Sequence, residues 1–268
     1  MSAIRFKAMT FNLRNAGSPD GENAWPHRVA RVSEVIGEHR PLVLGVQEAY
    51  ASMLDDLDPF LENYSRIGKG RDASANSESC AVLFDRNILE LKEEGQFWLS
   101  ETPEVPGSKS WDSYFPRVAT WGNFRFREHP KREFVFFNTH LDHMGVEARP
   151  EGALVIWKEC KKHFDLGLPV ILAGDFNSTP KSPAIQFLKG EVERNDHRSG
   201  LKDAYASLDG GPGRSSHGFS GGEVGEPIDY LFHSPLLESS GVQIDRRQFA
   251  GGFPSDHYPV TAEFRFTK

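Results

Sequence analysis

The residues of this chain that could do chemistry stand at the ends of apolar runs. Val170-Ile171-Leu172-Ala173 leads directly into Gly174-Asp175-Phe176-Asn177-Ser178-Thr179-Pro180. The apolar run reads as a buried strand. Gly174 removes a side chain where a backbone or ligand can come close, and Pro180 stops regular pairing. Residues two apart on an extended segment point to one side, so Asp175 and Asn177 are expected to offer a carboxylate and a carboxamide to one solvent-filled site. Asp, Asn, Ser and Pro also build ordinary turns, so this stretch alone leaves a loop and a site evenly matched.

The same pattern recurs along the chain. An alternating segment, Ile4 to Asn12, ends in Thr10-Phe11-Asn12, and Leu42-Val43-Leu44-Gly45-Val46 delivers Gln47-Glu48. Glu133 to Asn138 runs into Asn138-Thr139-His140-Leu141-Asp142-His143. Asp229 opens the strand Ile228-Asp229-Tyr230-Leu231-Phe232, and Ser255-Asp256-His257 precedes a terminal strand from Val260 to Phe266. One histidine or carboxylate at a strand end is usually structural; a set of them in one chain argues for a site. Oxygen-rich ligands suit a hard cation such as Mg²⁺ or Mn²⁺, whereas zinc would call for more histidine or cysteine. Histidines and a carboxylate outside the chelate would then handle protons and charge.

The elements that must position these groups follow from periodicity and breakers. Trp25 to His39 has helical spacing at Val29, Val32, Val35 and Ile36, and Pro41 ends it. After a short helix near 52–61, Tyr64 to Ile67 and Cys80 to Phe84 read as a hairpin. Its polar loop is either simply solvated or places Arg71 on a phosphate. Strand character continues from Ile88 to Leu99, and a Pro-, Gly- and Ser-rich loop follows to Asp112. Trp98 and Trp111 read first as core residues, with Trp111 kept among the loop positions that could face a substrate. Arg117 to Phe126 and Glu133 to Asn138 alternate as consecutive antiparallel strands. Glu147 to Phe164 and Ala184 to Leu188 read as helices. Arg194 to Gly225 is mostly irregular, and its His217-Gly218-Phe219 makes a substrate-facing loop a competitor to a mobile one. The alternation of strands and helices, with several antiparallel strands, describes an α/β chain that is not a purely parallel sheet.

Composition sets the outer limits. With 268 residues and 38% hydrophobic content, a large core is available and one domain over 1–268 is expected. No apolar run is long enough to span a membrane and no signal-like segment opens the chain, so a cytoplasmic, soluble protein is expected. Cys80 and Cys160 lack pairing or metal-type spacing and read as reduced core residues. The 31 basic against 38 acidic residues give a formal net charge of −7, which argues against a surface built for long duplexes.

At these strand ends the sequence resembles the endonuclease/exonuclease/phosphatase superfamily, which includes pancreatic-type deoxyribonuclease, neutral sphingomyelinase and the deadenylases. The match runs in order through Thr10-Phe11-Asn12, Gln47-Glu48, Asn138-Thr139-His140-Leu141, Gly174-Asp175-Phe176-Asn177, Ile228-Asp229-Tyr230 and Ser255-Asp256-His257. The resemblance implies two packed, mixed or antiparallel β-sheets flanked by helices, a four-layer α/β sandwich with the site at one edge. It implies Glu48 as the principal Mg²⁺ or Mn²⁺ ligand, joined by Asp256 and Asn12. Asp175 would align or deprotonate the attacking water, and Asn177 would hold that water or a phosphate oxygen. His257, steadied by Asp229, would bond the scissile phosphate, and His140 would stabilise its developing charge. Arg117 is a candidate phosphate contact; Arg71, His143, Trp111 and His217 are candidates for substrate binding.

The implied reaction is in-line attack of water on phosphorus in a phosphate ester, which could be a small molecule, a lipid head group or a single-stranded nucleotide end. Asp142-His143 and the lack of DNA-embracing basic loops depart from the duplex-cutting members and argue against duplex DNA. The alternative enzyme is a nuclease, such as a deadenylase-like 3′-exonuclease. A binding protein that kept the fold without the chemistry is disfavoured because the whole set of site residues is present.

Overall fold

The computed structural model describes residues 4–72, 74 and 76–267. Strand β1 (Arg5–Asn12) turns Phe6 and Ala8 to one side and Met9 and Phe11 to the other. The second side packs on α1 (Trp25–His39) through Val32, Val35 and Ile36. Pro26 lies in the first turn of α1, and Arg40, at φ 47°, closes its last turn. The chain continues through β2 (Val43–Gln47), α2 (Ala51–Leu57), β3 (Tyr64–Ile67), β4 (Val82–Asp85), β5 (Leu89–Trp98) and β6 (Val118–Phe126). Then come β7 (His129–His140), α3 (Ala148–Asp165), β8 (Val170–Asp175), α4 (Pro183–Leu188), β9 (Lys202–Asp203), β10 (Asp229–His233), β11 (Leu237–Ile244) and β12 (Val260–Phe266).

These strands form two mixed six-stranded sheets, ordered β11-β12-β1-β2-β4-β3 and β5-β6-β7-β8-β10-β9. Aromatic contacts join their facing sides, with Phe6 on Phe134 at 4.7 Å and Phe84 on Phe124 at 4.9 Å between ring centroids. Helices α1 and α2 cover the outer face of the first sheet, and α3 and α4 that of the second. The expected two-sheet sandwich with flanking helices is thus present. Parallel pairing of β1 with β2 and of β7 with β8 brings Asn12 level with Gln47 and His140 level with Asp175. Antiparallel β10 starts beside the end of β8, with Asp229 opposite Asp175. The polar strand ends therefore gather on one edge of both sheets.

Asn138 ties that edge together. Its Nδ2 donates to the carbonyls of Val46 and Ala81, each at 2.8 Å, and its Oδ1 accepts from Gln47 Nε2 at 2.6 Å. The side chain crosses from β7 to β2 over Gly45, where an added Cβ would lie 2.6 Å from the carboxamide. β11 was not legible in Leu237-Glu238-Ser239-Ser240-Gly241-Val242, which reads as loop composition. It pairs with β12 through a register shift between Ser240 and Gln243, with Gly241 at φ 57°. Both cysteines are free and buried, as expected.

Replacing Asn138 with Ala strands its buried polar partners on the first sheet, the Val46 and Ala81 carbonyls and the Gln47 amide, and the loss expected is about 3 kcal/mol. Urea unfolding measures it. A change below about 1 kcal/mol would show that the cross-sheet carboxamide is dispensable.

Candidate active site

The site is a chain of hydrogen bonds, with one ion pair, that passes between the sheets. Asn12 Nδ2 donates to Glu48 Oε1 and to Asp175 Oδ2, both at 2.9 Å. Its Oδ1 accepts the Arg14 amide at 2.9 Å. Asn12, expected as a metal ligand, bridges the two converging carboxylates, with the Arg14 amide on one lone pair of its side-chain carbonyl. On the far side of Asp175 lies His257, its Nε2 at 3.9 Å from Asp175 Oδ2 and its Nδ1 at 2.9 Å from Asp229 Oδ2. Ser215 Oγ donates to the same Asp229 oxygen at 2.6 Å, leaving Asp229 Oδ1 buried without a partner.

Asp175 is only 1% exposed. Burial, and then the charge of Asp229, push its pKa up to about 7, against the opposing pull of His257 and of the Asn12 hydrogen bond. Burial pulls the His257 imidazole down, but the charge and hydrogen bond of Asp229, with Asp175 and Asp256, raise its pKa well above the ordinary value. The pair thus puts an imidazolium beside a carboxyl group poised near neutrality. Burial lowers the pKa of His140, with Arg117 and Arg71 adding to the effect, so that imidazole is neutral.

Asp175 and Asn177 do converge, but not by strand alternation. Asn177 has φ 46°, and its amide donates to Asp175 Oδ1 at 2.9 Å in a tight turn. Gly174 is needed there, since a Cβ would lie 2.3 Å from the Thr139 carbonyl. Asn177 Nδ2 bonds His140 Nε2 at 2.9 Å and the Leu141 carbonyl at 3.0 Å, which fixes the orientation of the amide and turns Oδ1 away as a free acceptor. That arrangement suits an attacking water better than a phosphate oxygen.

Glu48 has φ 57°, a strained conformation that turns its side chain back over the end of β1. Its Oε2 accepts from the amide and the side chain of Asn15, each at 2.9 Å. Burial opposes its charge, yet these bonds and that from Asn12 hold its pKa below the ordinary value. Burial raises the pKa of Asp256, and Glu48 adds to the rise. Two carboxylates that repel across a polar edge fit a hard divalent cation. Asp175, Asp229 and His257 also have ligand atoms within 4.8 Å of one another. A cation among them would displace the 2.9 Å His257–Asp229 bond, whereas one between Glu48 and Asp256 would leave that bond in place.

Several positioning residues were not legible in the sequence. Arg28, fully buried on α1, donates to the carbonyls of Leu13, Arg14 and Pro254 and so clamps the loops that carry Asn15 and Asp256. Ser255 Oγ donates to the Asn12 carbonyl. The irregular stretch after residue 194 supplies Ser215, and its His217 amide donates to the Asp256 carbonyl at 2.8 Å. His217 does not face an open site as expected. It is 3% exposed and stacked on Tyr258 at 3.9 Å, because the ring completes an aromatic cluster with Phe253.

Arg117 is 4% exposed at the start of β6. Its Nε donates to Asp142 at 3.3 Å and its Nη2 to His143 Nδ1 at 3.0 Å, while Nη1 is buried without a partner. Asp142 also accepts from the amides of Phe115, Met144 and Gly145. Arg71 pairs with Glu78 at 2.7 Å and lies 4.4 Å over the Phe115 ring. Glu48, Arg71, Arg117 and His140 line a cavity of about 10 Å³, closed by Cys80 and Val118. Trp98 is core as expected, whereas Trp111 is 37% exposed and precedes Asp112, whose carboxylate accepts amides at the start of α3. Nothing in its described contacts joins Trp111 to the other site residues.

The profile of the Endonuclease/Exonuclease/phosphatase family matches residues 9–257, and the chain belongs to that family. Among curated proteins it is similar to Protein angel of Drosophila melanogaster, with 26% identity over 276 residues that cover 92% of this chain and 74% of that one. An endonuclease/exonuclease/phosphatase family protein from Bacteroides thetaiotaomicron superposes with a TM-score of 0.89, at 30% identity and full coverage of both chains. A mannosyl-6-phosphatase from the same organism gives 0.89 at 31% identity, covering 97% of this chain and 100% of that one.

Asp142 offers a pH test of the Arg117 anchor. Burial opposes its ionisation, but the amides of Gly145, Met144 and Phe115, with Arg117, hold its pKa below the ordinary carboxylate value. A depressed folded pKa stabilises above the unfolded value, about pH 4, and the benefit disappears as pH falls below it. Asp142→Asn is expected to lose about 3 kcal/mol at neutral pH, with the gap from the parent closing under acid. Denaturant unfolding across pH checks this, and a constant gap would contradict it.

Proposed function

We propose that this protein is a divalent-metal-dependent hydrolase of phosphate esters, acting by in-line attack of water on phosphorus. The observation that supports this most strongly is the series Asp229–His257–Asp175–Asn12–Glu48, hydrogen-bonded except for the 3.9 Å ion pair of His257 with Asp175, which sets candidate proton-handling groups beside candidate cation-binding carboxylates. Glu48 and Asp256 would hold Mg²⁺ or Mn²⁺, which supplies Lewis-acid charge to the phosphate and the leaving oxygen. Asp175 accepts the proton of the attacking water, which Asn177 Oδ1 orients. His257, kept protonated by Asp229, donates to a phosphate oxygen as negative charge grows. Arg117 and Arg71 contact the phosphate from the cavity side, and the exposed His143 borders it. The likeness to a mannosyl-6-phosphatase supports ester hydrolysis on a small molecule.

Purified protein is expected to release para-nitrophenol from its phosphate ester with Mg²⁺ or Mn²⁺ and to stop when EDTA is added. No metal-dependent release from that ester, nucleotides or oligonucleotides would remove the hydrolase reading. Asp175→Ala and His257→Ala should each lower kcat by about a thousandfold with unchanged melting behaviour. Activity within about tenfold of the parent would take that residue out of its role. Glu48→Gln is expected to raise the metal concentration needed for half-maximal activity; an unchanged requirement would place the cation elsewhere.

A further inference from the structure

We propose that the cavity beside Glu48 is a blind subsite for one unesterified phosphate oxygen, which makes the enzyme selective for terminal phosphomonoesters over phosphodiesters. This rests on the hydrolase reading above. Its starting point is Arg117, whose Nη1 is buried with no partner while its other two nitrogens are engaged by Asp142 and His143. A buried, unpaired charged donor is costly, and the fork cannot turn to find a partner because Asp142 and His143 fix its plane. Such a donor points to a ligand that completes it.

The size of the cavity identifies that ligand. About 10 Å³ admits one water-sized group, and the walls are the Glu48, Arg71, Glu78, Arg117 and His140 side chains, with buried Cys80 and Val118 behind them. A phosphoryl oxygen is of that size. Two guanidiniums at this point match an anionic oxygen, and Glu78, paired with Arg71, holds the second in place. In an in-line displacement, water and the leaving oxygen occupy the apical positions and three oxygens lie equatorially. All three are bare in a monoester, whereas one carries the second alcohol in a diester. If His257 and a cation at Glu48 and Asp256 take the other two bare oxygens of a monoester, the second alcohol of a diester replaces one of these three contacts.

The test compares para-nitrophenyl phosphate with methyl para-nitrophenyl phosphate, which share a leaving group. The Mg²⁺-loaded parent is expected to favour the monoester in kcat/KM. In Arg117→Lys, which keeps the charge but loses the fork, and in Arg71→Gln, monoester kcat/KM should fall about a hundredfold and diester kcat/KM much less. Equal losses on both esters, or a parent that prefers the diester, would overturn the proposal. A second reading does not depend on turnover: titration of inorganic phosphate by calorimetry, with circular dichroism confirming that each variant is folded. Binding to the parent that weakens at least tenfold in both variants supports the subsite; equal binding in all three overturns it. A parent that binds phosphate through these arginines yet hydrolyses neither ester would sink the hydrolase reading while leaving the subsite in place.

Discussion

The site depends on one carboxamide placed between two carboxylates. Glu48 and Asp175 arrive from different sheets, and in a buried setting their mutual repulsion would push the sheet edges apart. The two Asn12 N–H groups satisfy one oxygen of each, and its carbonyl is fastened to the Arg14 amide. An aspartate there would add a third charge, and a leucine would leave both carboxylates short of a donor. In the proposed reaction the same bridge separates the carboxylates assigned to a cation from the groups assigned to proton handling.

Around that bridge the fold supplies rigidity from parts that look irregular. The loop carrying Asp256 and His257 is held by Arg28 through Pro254, by Ser255 on the Asn12 carbonyl, and by the His217 amide on the Asp256 carbonyl. Asp229 is steadied by Ser215 from the same irregular stretch. Preorganised groups of this kind stabilise charge without reorganising during the reaction. Strain at Glu48 and Asn177, both in left-handed backbone, falls on residues to which the proposed reaction assigns a part.

Much of this was legible in the sequence because the period-two pattern marks a strand's end, and there the chemical groups stand out. Glu48, His140, Asp175, Asp229 and His257 were found in this way, and the register of β7, β8 and β10 brings three of them together. What was not legible depends on distances across the chain. Asn12 and Asp175 are 163 residues apart, and only packed sheets reveal that Asn12 bridges Asp175 and Glu48. Nothing in the sequence singles out Arg28, and Asn138 stands there only as part of a motif. His217 shows the opposite error: an aromatic-rich loop suggests a substrate contact, but its ring is used to pack Phe253 and Tyr258. Convergence of Asp175 and Asn177 was anticipated for the wrong reason, since a turn at positive φ achieves it.

The central claim is that the cation lies with Glu48 and Asp256, while Asp175, Asp229 and His257 remain a proton relay. A crystal structure of the protein soaked in Mn²⁺, with anomalous difference density, tests it most directly. The account predicts a peak in contact with the Glu48 and Asp256 carboxylates and the His257–Asp229 hydrogen bond intact. A sole peak among Asp175, Asp229 and His257, with that bond broken, would contradict it.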